Sequence, residues 1–471
     1  MRKTKIVCTI GPACSDEKTL RNMCLAGMNV ARLNFSHGTH AEHRQKIDAI
    51  KTVRDSLGVP IAIMLDTKGP EYRIKTFAGG KIALADGDTF AFTIEDIVGD
   101  EKRVSVSYKG LVREMNVGDR ILVSNGLLIF EVTSLTDTDA VCTVIAGGEL
   151  SDRKSMSFPN KVLKQVYLSE QDKQDLLFGI ENGVDYVACS FVSSRRDMLD
   201  IKEFLAANGG GDIELIAKIE NRSGVDNIDE ICHECTGIMI ARGDMGVEIP
   251  FEELPVIQKD LIRRCRIMGK RVITATEMLE SMIYNPRPTR AEISDVANAV
   301  YDGTSAIMLS GETATGKYPV LTVQTMSRIA KETEKNIRYA NRFKSREYDI
   351  NSIQDATSHS ACGVALDIGA KAIVACTKTG NTAKMISRYR VPVPIIGMTT
   401  SETAWRRLAL SWGVIPVMTE EYGSAEELFI QAAEVAKKTL GLSGGDHIVI
   451  AGASTVGKPG IMNLIKVDTI E

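Results

Sequence analysis

Short runs of Ile, Val, Leu, Met and Ala alternate along this chain with longer stretches in which apolar residues recur every three or four positions. The runs predict strands over 4–10, 29–35, 61–67, 186–191, 214–220, 237–244, 271–276 and 306–310. The amphipathic stretches between them predict helices over 16–26, 40–57, 170–182, 197–208, 255–268 and 289–300. Runs that are apolar throughout are those of strands covered on both faces, as parallel strands flanked by helices are. A doubly wound open sheet absorbs a similar alternation. The count of eight, and a polar residue at nearly every strand end, favour a (β/α)8 TIM barrel.

The alternation breaks once. From 70 to 163 the pattern switches to period two between Gly and Asp turns, as in KIALADGDTFAFTI and ILVSNGLLIFEVTSL. This predicts a small antiparallel β-barrel domain inserted into a loop on the barrel's catalytic face, where it can act as a lid. A helical run over 319–342 and a polar stretch follow, and then a third α/β alternation begins. The expected domains are 1–69 with 164–343, 70–163, and a C-terminal α/β domain, 344–471, regulatory or oligomeric in character.

Several runs end in charge. Lys218 and Glu220 close the fifth strand and, two apart, point the same way; Arg242 and Asp244 close the sixth. Charges inside an apolar run are costly unless paired or bound to a metal, so a buried salt bridge is the plain alternative to a site. Read together, the strand ends form one polar rim. Glu220 and Asp244 suit Mg²⁺, which takes one or two carboxylates and fills its octahedron with water and phosphate oxygens. Arg32 and Lys218 supply positive charge for a phosphoryl group in transfer. The amides of Gly243 and Asp244 offer an anion pocket for a carboxylate. Asn34, Ser36, Asp66 and Thr67 bring many oxygens and a single formal charge, a set fit for a monovalent cation. Arg73 and Lys154, on the two hinges of the insert, are placed to touch nucleotide phosphates on closure.

Composition narrows the partners. The 471 residues exceed one core, and a net charge of −4 with 5% aromatic residues argues against nucleic acid. No run approaches a membrane span, and the N-terminal apolar stretch is too short for a secretion signal. Ten scattered cysteines suit free thiols in a reducing cytoplasm. Cys232-His233-Glu234-Cys235 has the spacing of half a zinc site, but no second pair lies at a suitable distance. Neither a Walker phosphate loop nor a dinucleotide fingerprint is present.

The segments TKIVCTIGPAC, NVARLNFSHG, MLDTKGPEYR, AKIEN, IARGDMGVEIP, ITATEMLESMIYNPRPTRAEISDVANAV and YDGTSAIMLSGETATGKYP resemble the pyruvate kinase family. That resemblance implies phosphoryl transfer from phosphoenolpyruvate to ADP, giving pyruvate and ATP, with Mg²⁺ or Mn²⁺ and K⁺. It implies Glu220 and Asp244 as divalent-metal ligands, and Asn34, Ser36, Asp66 and Thr67 as the K⁺ site. It places Arg32 and Lys218 on the phosphoryl group, with Lys218 also steadying the enolate. Gly243, Asp244 and Thr276 hold the substrate carboxylate, and Thr276 lies near the carbon that gains a proton. Asn34, His37, Arg73 and Lys154 fall in the nucleotide site, and Glu71 stands at the position linked to K⁺ dependence. A homotetramer is the family's usual assembly.

Four departures stand out: Ser124-Asn125 for an Asp-Asp pair, Met156–Asn160 in a usually Gly- and Leu-containing turn, no basic residue at 193–194, and Glu277 for Gln. They bear on lid closure and nucleotide affinity. In the last domain, Thr377, Lys378, Thr379, Gly380, Asn381 and Thr382 follow a strand and open a helix, which suits a phosphate-bearing effector, a sugar phosphate or a nucleotide. Two rival functions are a lyase handling phosphoenolpyruvate on a similar barrel and a non-catalytic metabolite sensor.

Overall fold

In the computed structural model, which describes residues 1–159, 161, 166–345, 348–453 and 462–471, eight parallel strands close into a barrel. They are Lys5–Thr9, Val30–Asn34, Ala62–Asp66, Tyr186–Cys189, Glu214–Ile219, Gly237–Ala241, Arg271–Ala275 and Ala306–Leu309. Because side chains alternate along a strand, one set fills the barrel and the other meets the helices. Val7, Val30, Met64, Tyr186, Ile216, Met239, Ile273 and Met308 form the interior cluster. Their neighbours Ile6, Ala31, Ile63, Val187, Leu215, Ile238, Val272 and Ile307 pack outward against the helical shell. The inward register carries further, placing Thr9, Arg32, Asp66, Ser190, Lys218 and Glu220 as a polar layer above the apolar one.

The sixth strand stops at Ala241, three residues short of the expected end, and Arg242–Glu248 forms a short helix. Its ladder with the seventh strand runs out at Ala241↔Ala275. Beyond that, Thr276 and Glu277 turn to left-handed φ values of 69° and 53°, so no extended neighbour remains to pair with. The helix expected over 319–342 likewise divides, into Pro319–Lys335 and Tyr339–Lys344.

The insert holds a seven-stranded sheet and a two-stranded ribbon of Lys81–Leu84 with Gly148–Ser151. The sheet is antiparallel apart from one parallel pair, Thr89–Thr93 with Arg103–Ser105, which departs from the expected all-antiparallel pattern. Its two edge strands meet through an Ile74↔Val106 bridge, so the sheet rolls closed around a core holding Phe90, Phe92 and Phe130. The expected boundary at 163–164, and Asn160, lie outside the described residues.

The C-terminal unit is a five-stranded sheet in the order Val414–Met418, Ile395–Thr399, Ala372–Cys376, His447–Gly452, Leu464–Thr469, with only the last strand antiparallel. It seats against the N-terminal end of the barrel. Leu410 belongs to the barrel's interior cluster, and the Tyr186 hydroxyl donates to the Arg407 carbonyl. Glu214, the first residue of the fifth strand, pairs with Arg271 and with Lys384 of the helix Asn381–Ser387.

Candidate active site

At the opposite end of that fifth strand, Lys218 Nζ lies 3.1 Å from Asp66 Oδ1 and 3.0 Å from Glu220 Oε1. It donates to Ser190 Oγ at 2.6 Å. Asp66 Oδ2 receives Arg32 Nε at 2.5 Å, and Arg32 Nη1 donates to Thr9 Oγ1 at 2.8 Å. Lys218 and Arg32 are each 8% exposed, and Asp66 and Glu220 are fully buried, so water does little to screen these charges.

The two carboxylates respond in opposite ways. Burial alone would raise Asp66, but Arg32 and Lys218 outweigh it and hold its carboxyl below the usual range. Glu220 stands at about 7, raised by burial and further by nearby Asp244, with Lys218 pulling it down only in part. Burial disfavours the Lys218 ammonium, yet Asp66 and Glu220 keep it above the ordinary lysine range. Glu220 is thus a carboxylate with too little positive charge around it.

Its hydrogen bonding says the same. Glu220 Oε2 accepts the Phe191 amide at 2.5 Å. Oε1 is buried with no hydrogen-bond donor among the described residues, since Lys218 is near enough for an ion pair but not aligned to bond. A buried acceptor left without a donor costs about 1–3 kcal/mol. A cation at Oε1 would remove that cost. No group of three or more His, Cys, Asp or Glu able to hold a metal occurs among the described residues. A buried carboxylate with one oxygen short of a donor fits an ion that takes one or two protein carboxylates and completes its shell with other oxygens, as Mg²⁺ does.

Thr276 follows the seventh strand directly and meets Gly243. Gly243 N–H donates to Thr276 Oγ1 at 2.7 Å, so this amide is engaged rather than free as expected for the anion pocket. Arg242 holds the strained turn from behind, donating to Ala275 O at 3.2 Å and Thr276 O at 2.5 Å, while pairing with Asp295 at 2.7 Å. Consecutive left-handed residues persist only where surroundings enforce them, and Arg242 supplies the enforcement.

The proposed K⁺ donors come together only in part. Asn34 pairs in register with Asp66, and Thr67 follows directly, its hydroxyl accepting from Ser190 N at 3.1 Å. Both Asp66 oxygens, however, face Arg32, Lys218 and Ser190. Ser36 and His37 lie exposed on the next loop.

Between barrel and insert opens a cleft of about 520 Å³ lined by Arg73, Lys154, Asn125, Ser157, Asp244 and Glu248 among others. Arg73 is tied to Glu71 at 2.5 Å and to the Arg153 carbonyl at 2.6 Å. Ser124 and Asn125, an unusual pair in the sequence, meet Ser155 here: Ser124 N donates to its carbonyl, and Ser155 Oγ donates to Asn125 Oδ1. The loop 377–382 lies apart, at the C-terminal sheet, where Asn381 opens the helix bearing Lys384.

Thr9, Ser190 and Arg242 are the residues to which sequence reading gave no role in the chemistry. Thr9 and Ser190 were findable, since each continues the inward period-two register of its strand. Cys232 and Cys235 are buried free thiols, with Cys232 Sγ 3.7 Å from Cys265 Sγ.

A family described as "Pyruvate kinase, barrel domain" matches residues 1–323, and one described as "Pyruvate kinase, alpha/beta domain" matches 355–468. A curated pyruvate kinase of Clostridium perfringens is 46% identical over 474 residues, covering all of both chains. One from Geobacillus stearothermophilus is 45% identical over all of this chain and 80% of its own length. Among solved structures, a pyruvate kinase from Cryptosporidium parvum superposes with a TM-score of 0.96 at 37% identity, covering 100% of this chain and 96% of that one.

Proposed function

The chain belongs to the pyruvate kinase family and transfers the phosphoryl group of phosphoenolpyruvate to ADP; from that membership we propose how its residues divide the work. The observation that carries the proposal is the buried cluster of Lys218, Arg32, Asp66 and Glu220, with one Glu220 oxygen left without a donor.

Arg32 and Lys218 bind the phosphoryl group. Asp66 aims both cations, taking Nε of one and Nζ of the other, and leaves Arg32 Nη2 free for substrate among the described residues. Phosphoryl transfer makes little covalent demand on a protein and relies on positioning and charge. As the phosphoryl leaves, negative charge grows on the enolate oxygen, and the Lys218 ammonium, kept charged by its neighbours, stabilises it. Glu220 and Asp244 would hold the divalent ion, which when bound supplies Lewis-acid charge to substrate oxygens. Thr276, fixed by Gly243 and Arg242, orients the substrate carboxylate beside the carbon to be protonated.

Asn34, Ser36, Asp66 and Thr67 hold K⁺ in this reading, and the Glu71–Arg73 pair fits the K⁺-dependent type. His37, Arg73 and Lys154 meet the nucleotide; Lys154 lines the cleft and forms no ion pair with a described residue. The loop 377–382 takes a phosphate-bearing effector. Exposed Phe251 and Val256 support assembly into a homotetramer, and ten free thiols support a reducing cytoplasmic setting.

The test is pyruvate release from phosphoenolpyruvate with Mg²⁺, run with and without ADP and K⁺. Release that needs no ADP would indicate a lyase, and no release under saturation would indicate a sensor; ADP-dependent release raised by K⁺ is expected.

A further inference from the structure

The loop linking the second strand to the helix His40–Leu57 is exposed from Ser36 to Thr39, yet hydrogen bonds hold its backbone at several points. Ser36 N donates to Asn34 Oδ1 at 3.1 Å. Thr39 and Glu42 form a reciprocal capping box. Gly38 adopts φ +86°, and a Cβ there would lie 3.2 Å from Glu42 Oε2 and 3.5 Å from His43 Nε2. Between these points the His37 carbonyl is held by His43 Nε2 at 2.9 Å.

His43 is an odd choice for this position on packing grounds. It is 2% exposed and stacked on Phe35, with ring centroids 4.0 Å apart and planes 9° apart, and Phe35 packs in turn on Phe178. A carbonyl can only accept, so Nε2 carries the hydrogen. Nδ1 is buried with no hydrogen-bond partner. Burying a polar ring with one nitrogen unsatisfied costs free energy that Leu or Met in the same slot would not. Burial lowers the His43 pKa, outweighing the His37 carbonyl, which favours the charged ring. Among the described residues, the one hydrogen bond the ring makes is to the backbone of His37.

We propose that His43 is a positioning residue for the nucleotide subsite, fixing the His37 carbonyl so that ADP meets a preformed loop. This rests on the reading of His37 as a nucleotide contact. ADP then binds without ordering the loop, whereas phosphoenolpyruvate, held by Lys218, Arg32 and Thr276, does not depend on it.

The experiment measures KM for ADP and for phosphoenolpyruvate, and kcat, in His43→Leu, His43→Gln and His37→Ala at saturating Mg²⁺ and K⁺. Loss of one neutral hydrogen bond corresponds to a rise of about 5- to 10-fold in KM for ADP in His43→Leu. KM for phosphoenolpyruvate and kcat should stay within about twofold, a split that a merely structural role would not produce. His43→Gln, whose amide can donate to the same carbonyl, should recover most of the loss. Equal rises in both KM values, or no recovery by Gln, would overturn the proposal. His37→Ala separates the two claims. An unchanged KM for ADP there removes the nucleotide reading and the proposal with it, while a raised value beside an unchanged one in His43→Leu removes positioning alone. If His43→Leu does not fold, His43→Met makes the same comparison.

Discussion

Replacing Lys218 by Met removes the ammonium while keeping most of the aliphatic stem. A unit charge about 3.5 Å from an oxygen, at an effective dielectric near 20, is worth about 5 kcal/mol. Allowing for partial charge on the phosphoryl and enolate oxygens, we expect kcat to fall by about 10³- to 10⁴-fold, at about 1.4 kcal/mol per decade. Stability should suffer less than the usual ~3–5 kcal/mol for breaking a buried pair. Asp66 keeps Arg32 at 2.5 Å, and Glu220, already raised to about 7, takes up a proton at little cost near neutrality. Without Lys218 the Glu220 pKa rises further. A carboxyl with a raised folded-state pKa loses its favourable contribution as pH climbs through that value. The variant should therefore lose stability relative to the parent from pH 6.5 to 8.5. Pyruvate release and denaturant midpoints across that range test both halves. Turnover within tenfold of the parent, or a stability difference that does not grow with pH, would refute the charge argument.

Three further expectations follow from the same geometry. In the proposed reading Mg²⁺ displaces a proton from Glu220, so its affinity should weaken as pH falls through about 7; pH-independent calorimetric binding between pH 6 and 8 would contradict this. Arg242→Met releases the Ala275 and Thr276 carbonyls and strands Asp295, so kcat/KM for phosphoenolpyruvate should fall about 10²-fold with KM for ADP little changed. Glu214→Gln concerns the barrel's base. Burial would raise Glu214, but Arg271 and Lys384 bring it down to about 2, against an ordinary 4.5. Its contribution, about 3 kcal/mol, is present above pH 4.5 and lost as pH falls toward 2. The variant should be weaker at pH 7 and lack that portion of the parent's acid sensitivity, as denaturant midpoints between pH 2.5 and 7 will report.

The barrel was legible because parallel strands buried on both faces write themselves as unbroken apolar runs, and because polar residues cluster where each run ends. Lys218 and Glu220 stood out as charges two apart in such a run, which dictates a shared face. The sixth strand's end was misread for a definite reason. GIMIARGDMG carries no signal that its neighbour turns left-handed at Thr276, and without an extended partner Arg242–Glu248 coils into a helix. Gly243 was expected to offer a free amide, but the bond to Thr276 depends on a residue 33 positions away. His43 was invisible in another way. A histidine on the inner face of an amphipathic helix looks like any satisfied core residue until its one bond is seen to end on an exposed loop.

The fifth strand shows how one chemistry yields two outcomes. Glu214, Ile216, Lys218 and Glu220 all point into the barrel, charged at both ends and apolar between. Both glutamates are buried, so burial raises both, and the number of cations decides the difference. Glu214 has Arg271 and Lys384 to itself and is driven down to about 2, a carboxylate that has all the charge it needs. Glu220 shares Lys218 with Asp66, faces a second carboxylate in Asp244, and sits near 7. Evening out the top as the base is evened out would need one more cation there, and a basic side chain would have been the stable solution. Its absence costs folding free energy, and in the proposed reading that deficit is the affinity available to a divalent ion arriving with substrate. The base of the strand is therefore built for stability and its top is left incomplete. A Glu220→Gln variant, which removes the unbalanced charge, should gain stability without Mg²⁺ and lose it as an activator. A denaturant midpoint for that variant no higher than the parent's at pH 8 would mean that the deficit is not there.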